Sequence, residues 1–274
     1  MSNNESIDLA AYLARIGLDG TSTLCPTLDT LRSVLMAHAC SIPFENLDVL
    51  LKRPMRLDQP SLRRKLVVQR RGGYCFEQNT LLLEVLQAMG FQARGLSARV
   101  RFAASRDETP SRTHLFCEVT LDGERWIADV GVGGLTPTAP IRIDTETPQE
   151  TPHDTRRVQR DRDTGHWFHQ IHLPDGWRDV CEFTGEEMPM IDRQVAHWWT
   201  STSPESKFRQ SIMGAIAQPD GSRRILSTRQ FTIRNHGQEI EKIHIQSSGQ
   251  LLTILSEQFG LDFDCDTLFG VDGL

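Results

Sequence analysis

The chain has 274 residues, and 30 Lys and Arg against 36 Asp and Glu leave a net charge of −6. That length builds one large domain or two to three small ones, and the composition is that of an ordinary soluble globular protein. An acidic balance with no zinc-finger or RNP-type motif speaks against a nucleic-acid partner, and no run of about 18 apolar residues is present to cross a membrane.

The opening "MSNNESIDLAAYLARIG" is polar and then amphipathic. It lacks the basic n-region and apolar h-region of a secretory signal. Cysteines fall at 25, 40, 75, 117, 181 and 265, scattered and without a CxxC pair. They are expected to be reduced thiols of a cytoplasmic protein rather than a disulfide frame. Residues 5 to 90 read as helical. Leu9, Leu13 and Ile16 recur at helix spacing, as do Leu28, Leu31, Leu35 and Met36 behind Pro26. A third helical run, Leu81 to Met89, is closed by Gly90. The Pro-punctuated "SIPFENLDVLLKRPMRLD" reads as an irregular connection. From 91 to 185 short alternating segments take over, separated by turn signals such as Asp122-Gly123 and Pro174-Asp175-Gly176. They predict an antiparallel sheet or barrel. Residues 186 to 274 mix both kinds, with helices at "MIDRQVAHWWTS" and "SGQLLTILSEQFG" and strands between them.

Chemistry concentrates at "RRGGYCFEQN", residues 70 to 79. Gly72-Gly73 makes a tight turn and a helix starts near Cys75. A thiol there meets the positive end of the helix dipole and free N–H groups, and the thiolate is the nucleophilic form. A buried structural cysteine is the competing reading. The turn leaves the two about equally open until a partner is found.

That partner comes from "THLFCEVTLDGERWIADVG". Asp122-Gly123 is a strong two-residue hairpin signal. It sets Leu121 opposite Glu124, so His114 and Asp129 become diagonal neighbours on one face, with Cα atoms ~7–8 Å apart. A carboxylate beside an imidazole fixes its tautomer and stabilises its cation. Alone, the pair reads as an ordinary cross-strand pair. With Cys75 available, a Cys-His-Asp triad is the better reading. Cys117 points to the other face, as core.

Other signals are weaker. In "HWFHQIH", His166 and His172 are ~20 Å apart at strand rise and cannot share a metal. Arg99, Arg101 and Arg106 read equally as phosphate contacts or as a solvated strand face, and Trp198-Trp199 as packing. Glu45 and Glu77, beside Arg71, read as a structural ion-pair network.

These motifs resemble the arylamine N-acetyltransferases. The match is "RGGYCFE" with Cys75, "THL" with His114 and "ADVG" with Asp129, in that order, together with "IPFENL" at 42 to 47 and "SPESKFRQS" at 203 to 211. The resemblance implies an α+β fold with a cysteine-protease-like Cys-His-Asp core. Its parts are a helical bundle carrying the nucleophile (1–90), an antiparallel β-barrel carrying His and Asp (91–185) and an α/β lid (186–274). It implies ping-pong acetyl transfer from acetyl-CoA (acetyl-coenzyme A) to an aromatic amine or hydrazine, with no metal. Cys75 is then the nucleophile, His114 the base and acid, and Asp129 the orienter. Phe44 and Tyr74 match positions that line or support the cleft. Thr113, Gly131 and Gly133 match segments that meet the coenzyme. The family commonly reads "DVGFG", whereas Val132 stands here for that Phe and is expected to line the substrate pocket. Rival readings are a Cys-His-Asp hydrolase, a macrocycle-closing amide synthase on the same scaffold, and a binding module that keeps the triad only for packing.

Overall fold

Short polar side chains write the helix starts. Asp8 accepts from the Ala11 N–H ahead of α1 (Leu9–Arg15), and Thr27 from the Thr30 N–H ahead of α2 (Leu28–Ser41). In α2 the buried residues Leu31, Val34, Leu35 and His38 form one stripe at the i, i+3, i+4, i+7 spacing of an amphipathic helix. The computed structural model describes residues 8–18, 25–102 and 104–274. The polar start on which the reading of no signal segment rests lies partly outside them, at 1–7. Among the described residues no helix is long and apolar enough to cross a membrane.

The connection read as irregular holds more order than its prolines suggest. It contains β1 (Phe44–Glu45) and α3 (Leu47–Leu50), and α4 (Gln59–Leu62) continues into a π-helical turn at Arg63–Val68. Then comes α5 (Cys75–Ala88), which starts at Cys75 as the Gly-Gly turn indicated, runs on through the Leu81 stretch and is buried on nearly every side. A helix buried all round belongs at the centre of a fold. It ends where Gly90, at φ 87°, turns the chain back and the Phe91 N–H bonds the Leu86 carbonyl.

The β part contains β2 (Gln92–Val100), β3 (His114–Leu121), β4 (Glu124–Ala128), β5 (Ile141–Arg142), β6 (Gln149–Glu150), β7 (Thr155–Arg160), β8 (Trp167–Leu173) and β9 (Gly176–Glu187). They form one antiparallel sheet of eight strands, ordered β5-β4-β3-β2-β9-β8-β7-β6. The sheet curls until β5 meets β7, giving a nearly closed barrel. Phe116, Phe183, Ile127 and Val158 fill its interior. Leu115, Cys117 and Val119, alternate residues of β3, pack into the cluster built around α5.

The remaining elements are α6 (Met190–Thr202), α7 (Lys207–Gln210), β10 (Met213–Ala217), β11 (Ser222–Ser227), β12 (Gln230–Asn235), β13 (Gln238–His244) and α8 (Ser248–Phe259). Strands β10 to β13 form a meander, and β1 joins its edge by pairing with β10. The "IPFENL" segment therefore lends a two-residue strand to the C-terminal sheet. A third core, with Leu226, Phe231, Leu251 and Leu255, seals α8 against that sheet.

Candidate active site

The Gly72-Gly73 turn is the first component. A Cβ on Gly72 would collide with the Pro43 carbonyl oxygen, and β1 bonds the turn from Glu45 N–H to the Gly73 carbonyl at 3.0 Å. Glu45 lies under the turn, 1% exposed, and Arg71 bridges it (2.8 Å) to Asp48 (3.2 Å). Of the two acids read beside Arg71, Glu45 is its partner; Glu77 is instead held by Lys65 at 2.7 Å, and Lys65 also reaches Asp48 at 2.9 Å. Glu77 accepts the Tyr74 N–H at 3.2 Å, which stops the backbone just before Cys75. The thiol thus sits on the first residue of a rigid buried helix, where backbone N–H groups have no intrahelical acceptor.

The hairpin supplies the second component. Its register is the one read from the sequence: Leu121 opposes Glu124 and Cys117 opposes Ala128. Asp122 (φ 51°) and Gly123 (φ 81°) both take the left-handed conformation that a two-residue hairpin turn needs. Beyond β4, Asp129 Oδ2 meets His114 Nε2 at 2.7 Å, both side chains being buried. The other ring nitrogen is left for Cys75, whose thiol lies near enough to help hold the His114 proton. The thiol also points at the Thr113 carbonyl, 3.6 Å away. Burial would push the His114 pKa down, but the charge and hydrogen bond of Asp129, with Cys75 beside them, push it up to about 10. Burial likewise disfavours the Asp129 carboxylate. The facing imidazole and the N–H donors of Gly131 and Asn79 outweigh it and hold the pKa below the usual range.

Two features of this arrangement have different visibility in the sequence. Gly131 is required by close approach: a Cβ there would lie 2.6 Å from the Cys75 Cα. Asn79 escaped the sequence reading. Its amide donates to Asp129 Oδ1 (2.8 Å) and the Leu115 carbonyl (2.7 Å), and its oxygen accepts the Val130 N–H (3.0 Å). The signal was its spacing, four residues after Cys75 on one helix face.

The site opens on a cleft of about 870 Å³, walled by all three parts of the chain. Phe44, Val132, Thr113, Gly131 and Gly133 line it beside Cys75 and His114. Tyr74 does not. It is fully buried, its hydroxyl shares a hydrogen bond with His197 Nδ1 at 2.6 Å, and its ring lies 5.1 Å from that of Phe208, which does line the cleft. Of the residues read as line-or-support, Phe44 lines and Tyr74 supports. Asn46 ties the two outlying motifs together, donating to the Phe208 and Ser211 carbonyls at 2.7 and 2.8 Å.

Several side readings change. Arg101 is not solvated: it is 6% exposed and paired with Glu182 at 2.6 Å. Trp198 does not pack, being 64% exposed, and Trp199 lines the cleft. His166 meets Glu182, and His169 lies buried beside Arg156, so neither shares a ligand set with His172.

Residues 27–268 match the N-acetyltransferase family model. The arylamine N-acetyltransferase of Escherichia coli (strain K12) is 39% identical over 92% of this chain and 88% of its own. The solved arylamine N-acetyltransferase of Salmonella typhimurium superposes with a TM-score of 0.87 at 36% identity, covering 95% of this chain and 94% of the other. That of Mycobacterium marinum in complex with CoA does so with 0.86 at 38% identity, over 92% of each.

Proposed function

We propose a mechanism for this chain, which belongs to the arylamine N-acetyltransferase family: Cys75 takes an acetyl group from acetyl-CoA and passes it to the nitrogen of an aromatic amine or hydrazine. The observation that carries it is the buried His114–Asp129 pair set against a thiol at a helix start, on the wall of a large cleft.

His114 takes the thiol proton, and Asp129 stabilises the imidazolium that results. The Cys75 sulfur attacks the thioester carbonyl, and the Cys75 N–H at the start of α5 faces the oxyanion. The carbon–sulfur bond to the coenzyme breaks, and His114 returns a proton to the departing thiolate. In the second half, the amine attacks the acetyl-cysteine. His114 accepts its proton, and the Cys75 sulfur leaves. Two half-reactions through one covalent intermediate give ping-pong kinetics.

In this reading residues 1–90 supply the nucleophile, 91–185 its base and carboxylate, and 186–274 a lid. Trp199 and Phe208 of the lid wall the cleft, and excluding water there favours the amine as acceptor. Thr113, Gly131 and Gly133 border the coenzyme thioester. Phe44 and Val132 surround the acyl group, and Tyr74 steadies that wall from behind. Lys207, Arg223, Arg234 and Lys242 on the cleft walls suit the coenzyme phosphates. No protein metal enters the scheme. A nucleophilic thiol among free cysteines suits the reducing cytoplasm.

Intact-mass spectrometry tests the core of this. Mixed with acetyl-CoA, the protein should gain one acetyl group, and an aniline should remove it. Cys75→Ser should gain none while keeping its melting curve. A Cys75→Ser variant that still transfers acetyl groups at the wild-type rate would refute the covalent route.

A further inference from the structure

Gln78 stands three residues after Cys75 on α5, is fully buried, and takes no part in the Cys75, His114 and Asp129 set. Its amide nitrogen donates to two main-chain carbonyls, that of Gly73 at 2.7 Å and that of Pro43 at 3.1 Å. Gly73 belongs to the turn ahead of Cys75, and Pro43 immediately precedes β1. The amide therefore spans the two segments that meet where Phe44 pairs with Gly73.

Two further side chains stand behind it. Gln78 Oε1 meets His38 Nε2 at 2.9 Å, and His38 Nδ1 meets the Tyr12 hydroxyl at 2.8 Å. All three residues are fully buried. The two carbonyls fix the direction of every bond in this chain. A carbonyl only accepts, so the amide NH2 faces the turn and Oε1 faces His38. Burial keeps the imidazole neutral near pH 7. Its one hydrogen then lies on Nε2, toward Oε1, and the bare Nδ1 accepts from Tyr12.

The carbonyls are paired even without this amide. Pro43 already accepts the Gly73 N–H at 3.2 Å, and Gly73 the Glu45 N–H at 3.0 Å. What a fully satisfied buried network adds is rigidity. Here that rigidity falls on two parts of the cleft. Along one edge of β1 runs the turn that sets Cys75. Along the other runs β10, whose Ala215 opposes Phe44. Phe44, between Pro43 and Glu45, lines the cleft together with Cys75 and Ala215.

We propose that Gln78 is a positioning residue: backed by His38 and Tyr12, it clamps Pro43 to Gly73 and so holds the Cys75 sulfur and the Phe44 wall in fixed relation. It acts through those two residues and does not line the cleft itself. The proposal rests on the reading that Cys75 is acetylated.

The test is single-turnover acetylation by acetyl-CoA and by propionyl-CoA, followed by intact mass, in Gln78→Met, Tyr12→Phe and Val158→Ala. Methionine keeps the length of the side chain and loses both donors. Val158→Ala opens the barrel interior and controls for lost stability. In Gln78→Met the rate at saturating acetyl-CoA should fall about ten- to hundredfold, the scale of a misplaced reacting group, while the half-saturating concentration holds. Propionyl-CoA should lose less than acetyl-CoA, because a loosened Phe44 admits the larger acyl group. Tyr12→Phe keeps the clamp but weakens its support, and should move rate and donor preference the same way by less. Val158→Ala should keep the wild-type rate at temperatures where it is folded. A wild-type rate in Gln78→Met, an equal loss for both donors, or the same loss in Val158→Ala would overturn the proposal. Should Gln78→Met fail to fold, wild-type kinetics in Tyr12→Phe would overturn it. Failure of the wild type to form any acetyl-cysteine would instead remove the reading on which it rests.

Discussion

Asn79 donates its amide to Asp129 Oδ1 at 2.8 Å, and both side chains are buried. The contact joins the helix that carries the thiol to the carboxylate that orients the imidazole. Asn79→Ala strands the Val130 N–H and the Leu115 carbonyl and deprives Asp129 of one donor. Each buried group left unpaired costs ~1–3 kcal/mol. The variant should melt at a clearly lower temperature. It should also acetylate slowly at temperatures where it remains folded, because the His114–Asp129 pair loses its anchor. Wild-type acetylation rates in folded Asn79→Ala would show that Asp129 is positioned without it.

Gly131→Ala makes a sharper claim. The added methyl carbon would stand 2.6 Å from the Cys75 Cα and 2.7 Å from the Asn79 amide nitrogen, where the closest neighbour is backbone. Either the segment after Asp129 or the start of α5 must move. The variant is expected to lose acetyl transfer even where circular dichroism reports an intact fold. Retention of near-normal kcat/KM would mean that the two segments slide apart freely.

Much of this site was legible in the sequence, for identifiable reasons. His114 and Asp129 could be paired because the Asp122-Gly123 turn fixes a register, and register fixes faces. Arg71 could be placed in an ion-pair network with Glu45 or Glu77, but the choice of Glu45 depends on β1 meeting the Gly-Gly turn, which local sequence does not show. Lys65 was missed because it lies in the π-helical turn Arg63–Val68, where 3.6-residue periodicity no longer says which side faces inward. Strand β1 was missed because two residues next to a proline carry no alternation, and its partner lies about 170 positions downstream. Tyr74 and Trp199 show the same limit. Neighbours in sequence decide neither that Tyr74 turns behind Phe208 nor that Trp199 turns toward the cleft while Trp198 faces solvent.

Arg71→Met should destabilise the fold. Glu45 and Asp48 would keep their charges near the Gly-Gly turn with Lys65 as the main remaining partner, and Glu45 is 1% exposed. Breaking a buried pair by removing one partner costs ~3–5 kcal/mol. Chemical denaturation at neutral pH reads this directly. An unchanged midpoint would mean that water already screens the pair.

Acid should weaken the fold through its buried histidines. Burial pushes His38 and His197 down to about 4, from an ordinary 6.5. Below 6.5 the unfolded chain binds protons that the folded chain refuses, so stability is fully present above that pH and is lost as pH falls toward 4. For His38, fully buried between the Tyr12 hydroxyl (2.8 Å) and the Gln78 side chain (2.9 Å), the loss is about 3 kcal/mol at most. Denaturation at several pH values should show a slope in this window that is smaller in His38→Gln. Equal slopes would place the proton uptake elsewhere.

Val132 should limit the size of the acyl group. It lines the cleft beside Cys75, on the segment that follows Asp129, and its N–H is fixed by the Thr136 hydroxyl at 3.1 Å. That bond holds the backbone, so a substitution there changes the space in front of the sulfur rather than the course of the chain. Valine fills less of it than a phenylalanine ring. Val132→Phe should therefore slow propionyl-coenzyme A more than acetyl-coenzyme A. Misfit of one or two methylenes in an apolar pocket is worth only ~1–3 kcal/mol, so the outcome is a shift in preference, not a switch. Comparing kcat/KM for both donors in wild type and variant decides the point. Equal losses for both donors would mean that residue 132 does not shape the acyl space.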